Sequence, residues 1–135
     1  MRRLSLFLFV ALLFAACGND KAQIESLEQE VLELHDEVMA KMPDLAKYEE
    51  ALAKSAADTT AALDEAARIE LDSTRARVLR AHQGMLDWMR QYDPPSVDES
   101  AEAAKAYLEE QRNKMQRLAE LTNQSIEEAS AILSE

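Results

Sequence analysis

The sequence predicts an all-α fold, an antiparallel three-helix bundle with coiled-coil-like packing. Its 135 residues include only two glycines and three prolines, which is too little turn material for a sheet protein of this length. Apolar residues recur at alternating spacings of three and four, the period of an amphipathic helix. Three segments of similar length suit an up-down-up arrangement, so we expect one elongated helical domain over residues 24–135.

Three apolar stripes define the predicted helices, over residues 24–54, 59–92 and 97–133. The first stripe comprises Ile24, Leu27, Val31, Leu34, Val38, Met42, Leu45 and Leu52. The second comprises Leu63, Ala67, Leu71, Thr74, Val78, Ala81, Met85, Trp88 and Tyr92. The third comprises Val97, Ala101, Ala104, Leu108, Gln111, Met115, Leu118, Thr122, Ser125, Ala129 and Ile132, and becomes partly polar after Leu118.

The breaks between the helices differ in sharpness. Asp93-Pro94-Pro95 must end the second helix, because consecutive prolines remove two donors and disfavour helical geometry at the preceding residue. Ser96 with Glu99 predicts a capping box for the third helix. The first break falls within residues 55–60, where Asp58, Thr59 and Thr60 are candidate caps, although a continuous helix is an alternative there. Pro43 predicts a kink or short break near residues 39–42.

The N-terminus has the features of a bacterial export signal. Arg2 and Arg3 precede an apolar run from Leu4 to Phe14, and two small residues stand just before Cys17, the only cysteine. The run is too short to span a bilayer, which needs about 20 apolar residues. The stretch resembles a lipobox, with Phe14 where leucine is usual. This resemblance implies a signal peptide over residues 1–16, lipid such as palmitate on Cys17, and a tether over residues 17–23.

Two other interpretations of Cys17 are an ordinary signal peptide with a leftover thiol and one half of a disulfide. A lone cysteine forms no bridge within its own chain. An exposed free thiol is a liability in an oxidising compartment, whereas an acylated one is inert. Lipidation is therefore the favoured interpretation, with the chain anchored to a cell membrane through the lipid. We expect the outer membrane, facing either the periplasm or the cell exterior.

The charge excludes one class of partner. The formal net charge is −11, and cleavage after residue 16 would remove two arginines and no acid, leaving the mature domain more acidic still. Nucleic-acid binding requires Lys and Arg placed to neutralise phosphates, so no nucleic-acid partner is expected.

The sequence predicts no enzyme, no cofactor and no small-molecule substrate. It has no glycine-rich phosphate loop, no second cysteine and no serine with an evident base. The Glu-x-x-His pairs of di-iron bundles are also absent, since residues 32 and 79 are leucines. A scaffold or interaction module that works through helix-on-helix contact, with another protein or with a second copy, is the favoured function.

The alternative is a periplasmic metal or haem binder. Two clusters would supply the ligands: His35 with Met39 and Met42, and His82 with Met85 and Met89. Thioether and imidazole suit reduced copper, and they are also the axial ligands of some haem proteins. Folding the first two segments about residues 56–57 would bring the two histidines within about one helical turn. The competing and favoured interpretation is that the methionines fill the core and the histidines lie at its boundary.

Gly84 and Trp88 each allow a structural and a functional interpretation. A glycine inside a helix costs about 1 kcal/mol relative to alanine, so Gly84 indicates either close approach of a neighbouring helix, which we favour, or room for a ligand. Trp88 is expected to pack at the end of the bundle, with its indole N–H bonded to a carbonyl or water. The alternative for Trp88 is an anchor for a binding partner.

Two segments carry a resemblance to a known group. The segments His35-Asp36-Glu37-Val38-Met39-Ala40-Lys41-Met42 and Met85-Leu86-Asp87-Trp88-Met89-Arg90 follow the lipobox. The chain thereby resembles the small helical lipoproteins of Bacteroidota often labelled viral A-type inclusion protein, a label that reflects coiled-coil similarity. Pro43 departs from the usual place of proline in the first segment. The resemblance implies a helical lipoprotein and assigns no functional residue.

Overall fold

The computed structural model describes residues 4–58 and 63–134, with side chains described from residue 19 onward. These residues form three helices and no strand: α1 (Leu4–Ala57), α2 (Glu65–Gln91) and α3 (Ala101–Ile132). Each helix packs against the other two. The prediction of an all-helical fold is confirmed, and the arrangement is consistent with a three-helix bundle.

Polar contacts between the helices fix their relative directions. Lys105 of α3 bonds Asp20 of α1 at 2.7 Å, and further along Arg112 bonds Glu30 at 3.1 Å, so α1 and α3 run in the same direction. The Trp88 indole N–H of α2 donates to the Gln111 side-chain oxygen of α3 at 3.0 Å, and nearer the start of α2, Arg77 pairs with Glu128. Helix α2 therefore runs antiparallel to α3 and α1.

The core consists of two apolar clusters at successive levels of the bundle. The first contains Val31, Val38, Met85, Trp88, Met115 and Ala119. The second contains Leu45, Leu52, Leu71, Val78, Ala81 and Ala129. Every one of these residues except Ala119 belongs to a predicted stripe. The exception arises because the 3.6-residue period of a straight helix drifts against a seven-residue repeat, which leaves Leu118 half-buried and turns Ala119 inward.

The helix starts differ from the predicted ones. Helix α2 begins at Glu65 rather than residue 59, and its N-cap is Asp64, whose carboxylate accepts from the Ala67 amide at 2.8 Å. Asp58 follows the end of α1, and its amide donates to the Ser55 carbonyl. The other two candidate caps, residues 59 and 60, lie outside the described residues.

Helix α3 begins at Ala101 rather than residue 97, because Ser100 is its N-cap and accepts from the Ala103 amide at 3.2 Å. Ser96 and Glu99 form a turn instead of a capping box, in which the Glu99 amide donates to the Ser96 carbonyl at 3.2 Å. Val97 was expected in the apolar stripe but lies in this connection and is fully exposed. The expected end of α2 is confirmed, since α2 ends at Gln91 and Pro94 and Pro95 follow in the connection.

The break expected near Pro43 does not occur, since α1 runs through it without interruption. Pro43 is exposed, so the carbonyl that loses its helical donor can be solvated. Val38 and Leu45 on either side are both fully buried. Their packing holds the two halves of α1 against the same neighbours.

Candidate functional site

Cys17 belongs to α1, but its side chain lies outside the described residues, as do the side chains of residues 1–18. The backbone of residues 17–23, expected as a short tether, is helical. Six helical residues rise only about 9 Å, against about 20 Å for an extended tether. Residue 17 is therefore held close to the end of the bundle that contains Ile24, the first residue of the apolar stripe.

Among the residues that the structure describes, no helix contains a stretch both long and apolar enough to cross a membrane.

His35 lies against the aromatic part of the core. Its ring centroid is 5.7 Å from that of Trp88 on α2, with the planes tilted by 40°. Its Nδ1 lies 2.9 Å from a carboxylate oxygen of Asp36, the next residue on α1. The imidazole thus spans the boundary between α1 and α2, with one face on the tryptophan and one nitrogen on an exposed acid.

His82 occupies the corresponding boundary on α2. Its Nδ1 lies 2.9 Å from a carboxylate oxygen of Glu49 on α1, and about one quarter of the imidazole is exposed. This pair links α1 and α2 by a polar contact at the edge of the second core cluster. A half-exposed pair of this kind contributes little stability but fixes how the two helices are rotated against each other.

The two histidines contact different groups. His35 lies on Trp88 of α2 and bonds Asp36, whereas His82 bonds Glu49, which is fourteen residues beyond His35 on α1. The sequence argument placed the turn at residues 56–57, which set residue 35 opposite residue 78. Helix α1 ends at Ala57 and α2 begins at Glu65, and residue 35 instead faces Trp88.

The methionines of the proposed metal clusters are also divided. Met85 is fully buried in the first core cluster, and Met42 and Met89 pack against it. Met39 is 36 % exposed on the outer side of α1. Among the residues with described side chains, no group of three or more His, Cys, Asp or Glu is arranged to hold a metal ion. The structure thus brings three of the methionines together in an apolar core and leaves both imidazoles at its edge.

An aromatic column runs from the first core cluster toward the α2–α3 connection. The Trp88 and Tyr92 rings are stacked with centroids 4.6 Å apart, and Tyr107 of α3 follows at 6.2 Å from Tyr92. The Tyr107 hydroxyl accepts from the Asp93 amide at 3.0 Å. The column therefore fixes the end of α2 onto the start of α3, the role expected for Trp88 from the sequence.

Two buried polar groups in this region, the Gln111 side chain and the Tyr92 hydroxyl, differ in their hydrogen bonding. The Gln111 side chain is 6 % exposed and accepts the Trp88 indole N–H, so a buried donor and acceptor satisfy each other. The Tyr92 hydroxyl oxygen is buried and has no hydrogen-bond partner among the described residues. Burial, together with the nearby charge of Glu28 on α1, raises the pKa of Tyr92 above its usual value.

Gly84 lies on an open groove of about 540 Å³ between α2 and α3. A Cβ placed on Gly84 would stand 3.0 Å from the Leu118 Cδ1 atom. The sequence offered two interpretations of Gly84, close approach of a neighbouring helix and room for a ligand. Each describes part of this site, because the Leu118 side chain of α3 approaches Gly84 closely and the same glycine lines the groove. The groove wall also contains Trp88, Glu110 and Lys114, and the last two pair with each other at 2.7 Å.

Comparison with known proteins returned no matching family model, no matching curated protein and no matching solved structure.

Proposed function

We propose that this protein is a lipid-anchored cell-envelope protein without enzymatic activity, in which a coiled-coil-like helical bundle serves as a scaffold or interaction module. The observation that carries the proposal is the sequence of residues 1–17, in which a basic start, an apolar run and two small residues lead to the only cysteine. Removal of residues 1–16 would leave that cysteine as the new N-terminus.

The short helical connection between residue 17 and the bundle supports the anchoring half of the proposal. The described core lies between Leu27 and Ala129, so cleavage before residue 17 leaves every described core side chain in place. Each buried methylene of an acyl chain contributes about 0.8 kcal/mol, and stable anchoring needs more than one chain. Attachment through the lipid is also compatible with the negative net charge, which does not favour adhesion to anionic lipid by the protein surface.

The interaction half of the proposal is supported by apolar side chains that the bundle leaves exposed. Leu32 and Met39 on α1, and Leu79 and Leu86 on α2, are between 36 % and 46 % exposed. The histidines at the same boundary make polar contacts to Asp36 and Glu49. These contacts suit a structural role at the edge of the core.

Mass spectrometry of the full chain expressed in a Gram-negative bacterium tests the anchor. We expect a mature N-terminus at Cys17 and a mass higher than that of residues 17–135 by a diacylglyceryl group or by that group and a further acyl chain. The Cys17→Ser variant is the matched control. It should carry no lipid and should remain in the aqueous phase when a detergent solution is separated into two phases. A wild-type chain that is cleaved elsewhere and carries a free thiol would refute the anchor.

A further inference from the structure

Two segments on facing helices repeat one pattern. Residues 31–42 of α1 read Val-Leu-Glu-Leu-His-Asp-Glu-Val-Met-Ala-Lys-Met, and residues 78–89 of α2 read Val-Leu-Arg-Ala-His-Gln-Gly-Met-Leu-Asp-Trp-Met. Valine, leucine, histidine and methionine coincide at the first, second, fifth and last positions. Because α1 and α2 run in opposite directions, the two segments are related by an approximate two-fold rotation, and each presents the same side chains to the same boundary.

The repeat places four exposed apolar side chains on one side of the molecule. Leu32 and Met39 stand three residues before and four after His35, and Leu79 and Leu86 stand at the same positions around His82. Side chains at these spacings share a helix face. Since His35 contacts α2 and His82 contacts α1, all four apolar side chains border the α1–α2 boundary on its outer side. We call this surface the α1–α2 flank.

The α1–α2 flank is unusual for an exposed surface of an acidic protein. The relative exposures are 46 % for Leu32, 36 % for Met39, 37 % for Leu79 and 38 % for Leu86. Isolated apolar side chains on a surface need no explanation, but a row of them along two helices is the pattern of a docking site. Because His35 lies on Trp88, Leu86 and Leu79 lie about level with residues 37 and 44 of α1, and the four side chains span about 18 Å of helix.

Charge divides the α1–α2 flank into two halves. Toward the start of α1 the flank carries Glu25, Glu28 and Asp36, with Asp93 at the end of α2. Arg90 and Lys21 also lie in this half, where they are paired with Asp87 and Glu25. Glu28, Asp36 and Asp93 remain, so this half is acidic.

The opposite half carries bases and acids in equal number, in a chain whose net charge is −11. Its bases are Arg68 and Arg75, which stand fourteen and seven residues before His82 on the same face, together with Lys47 and Lys54 of α1. Its acids are Glu49, Glu50, Glu65 and Asp72, so this half is balanced in charge where the first half is acidic. Glu28 and Arg75 hold equivalent positions, each seven residues before its histidine, and have opposite charges.

We infer that the α1–α2 flank is an interface between two copies of this chain, packed antiparallel about a two-fold axis. A two-fold interface must be complementary to itself, and the division of charge provides that complementarity in one orientation only. An axis through the centre of the four apolar side chains, near residue 37 of α1, brings Glu28 of each copy to the height of Arg75 of the other. A parallel pair would instead bring the two acidic halves together.

This inference deepens the interaction half of the proposed function and rests on the anchoring half for one consequence only. In an antiparallel pair, residue 17 of the two copies lies at opposite ends. Residue 17 is about 30 Å from the axis along α1, so lipid groups on the two copies would be roughly 60 Å apart. Two copies anchored in the same membrane surface would meet with their α1 helices parallel, which places the acidic half of one flank against the acidic half of the other. The pairing therefore joins copies held on two facing lipid surfaces.

Sedimentation equilibrium of the chain from residue 18 onward, which contains every residue of both core clusters, tests the interface without lipid. We expect a concentration-dependent dimer. Leu79→Glu and Leu86→Glu should each weaken it by more than about tenfold, because each places a charge among apolar side chains. Leu133→Glu is the matched control, since Leu133 is equally exposed, at 36 %, but lies at the end of α3. Circular dichroism checks that each variant keeps its fold.

A charge swap tests the orientation. Glu28→Arg alone and Arg75→Glu alone should each weaken the dimer, whereas the double variant Glu28→Arg/Arg75→Glu should restore its stability to near that of the wild type. A chain that stays monomeric at several hundred micromolar overturns the inference. A dimer that the leucine substitutions do not weaken overturns the assigned surface, and a dimer that the double variant fails to restore overturns the antiparallel arrangement. Loss of the lipid anchor would alter none of these results.

Discussion

The hydrogen bond between Trp88 and Gln111 offers the most direct test of the packing, through the substitution Trp88→Phe. The indole N–H donates to the Gln111 side-chain oxygen at 3.0 Å, and Trp88 and Gln111 are only 9 % and 6 % exposed. Phenylalanine keeps an aromatic ring for stacking on Tyr92 but donates nothing. The substitution leaves the Gln111 oxygen buried without a partner, at a cost of about 1 to 3 kcal/mol.

The smaller ring also loses apolar contact, which adds about 1 kcal/mol. We therefore expect Trp88→Phe to lower the free energy of unfolding by roughly 2 to 4 kcal/mol. Urea denaturation followed by far-ultraviolet circular dichroism measures this quantity for the chain from residue 18 onward. Tyr107→Phe is a suitable comparison, because it removes an exposed hydrogen bond to the Asp93 amide and should cost less than about 1 kcal/mol.

The double variant Trp88→Phe/Gln111→Leu separates the cost of the unpaired Gln111 oxygen from the cost of the lost apolar contact. Replacing both partners by apolar side chains leaves no unsatisfied polar group, so the double variant should recover at least about 1 kcal/mol relative to Trp88→Phe alone. Two results would refute the reasoning. One is a loss below about 0.5 kcal/mol for Trp88→Phe, and the other is simple additivity of the two single substitutions.

Gly84, Tyr92 and the α1–α2 flank each allow a separate test. Gly84→Ala should raise the free energy of unfolding in urea by up to about 1 kcal/mol. The new Cβ meets only the side chain of Leu118, which is half-buried and can move into the groove. A lower free energy of unfolding would show that Leu118 is held rigidly. The pKa of Tyr92 is raised in the folded chain. The neutral phenol therefore stabilises the fold below pH about 10, and this contribution is lost as pH rises through the folded pKa. Tyr92→Phe should flatten the alkaline decline in melting temperature. Vesicles carrying the lipidated chain should cluster as measured by light scattering, and Arg75→Glu or Glu28→Arg alone should abolish clustering; clustering by both single variants would contradict the trans arrangement.

The period of the apolar residues predicted most of the fold. Val31, Val38 and Leu45 on α1, and Val78 and Met85 on α2, are fully buried as their spacing indicates. Burial in a helix follows from angular position alone, and angular position can be read from sequence spacing. The double proline after Asp93 was equally informative, since it acts through local backbone geometry.

Caps and register were harder to predict, because competing local signals were equally satisfactory. Ser96 and Ser100 both offer a hydroxyl to a following amide, and the chain uses Ser100. With the start at Ala101, α3 buries Ala104 and Leu108. A start at residue 97 would add a helical turn that contains the fully exposed Val97. The error at the first connection had a larger effect. Because α2 begins at Glu65 rather than residue 59, His35 meets Trp88 rather than residue 78, and only long-range packing determines that register.

The surroundings of the candidate metal ligands depend on the same register. Spacing places His35, Met39 and Met42 close together along α1, but it does not say which residues of the other helices they meet. In the structure Met42 contacts the core, Met39 faces outward, and His35 lies on Trp88. The sequence contained a signal for the α1–α2 flank in the repeated Leu-x-x-His pattern. That signal gains meaning only when α1 and α2 are known to be adjacent and antiparallel, because the pattern then becomes a single surface.

The polar contacts of the two histidines explain why the α1–α2 flank remains exposed in one copy. His82 bonds Glu49 and His35 bonds Asp36, so the outer edge of the α1–α2 boundary is closed by polar groups and the leucines beyond it cannot join the core. A third helix already covers the inner side. The apolar side chains outside the histidines can therefore be buried only by another molecule, and the opposite charges of Glu28 and Arg75 at equivalent positions make a second copy the occupant whose surface matches.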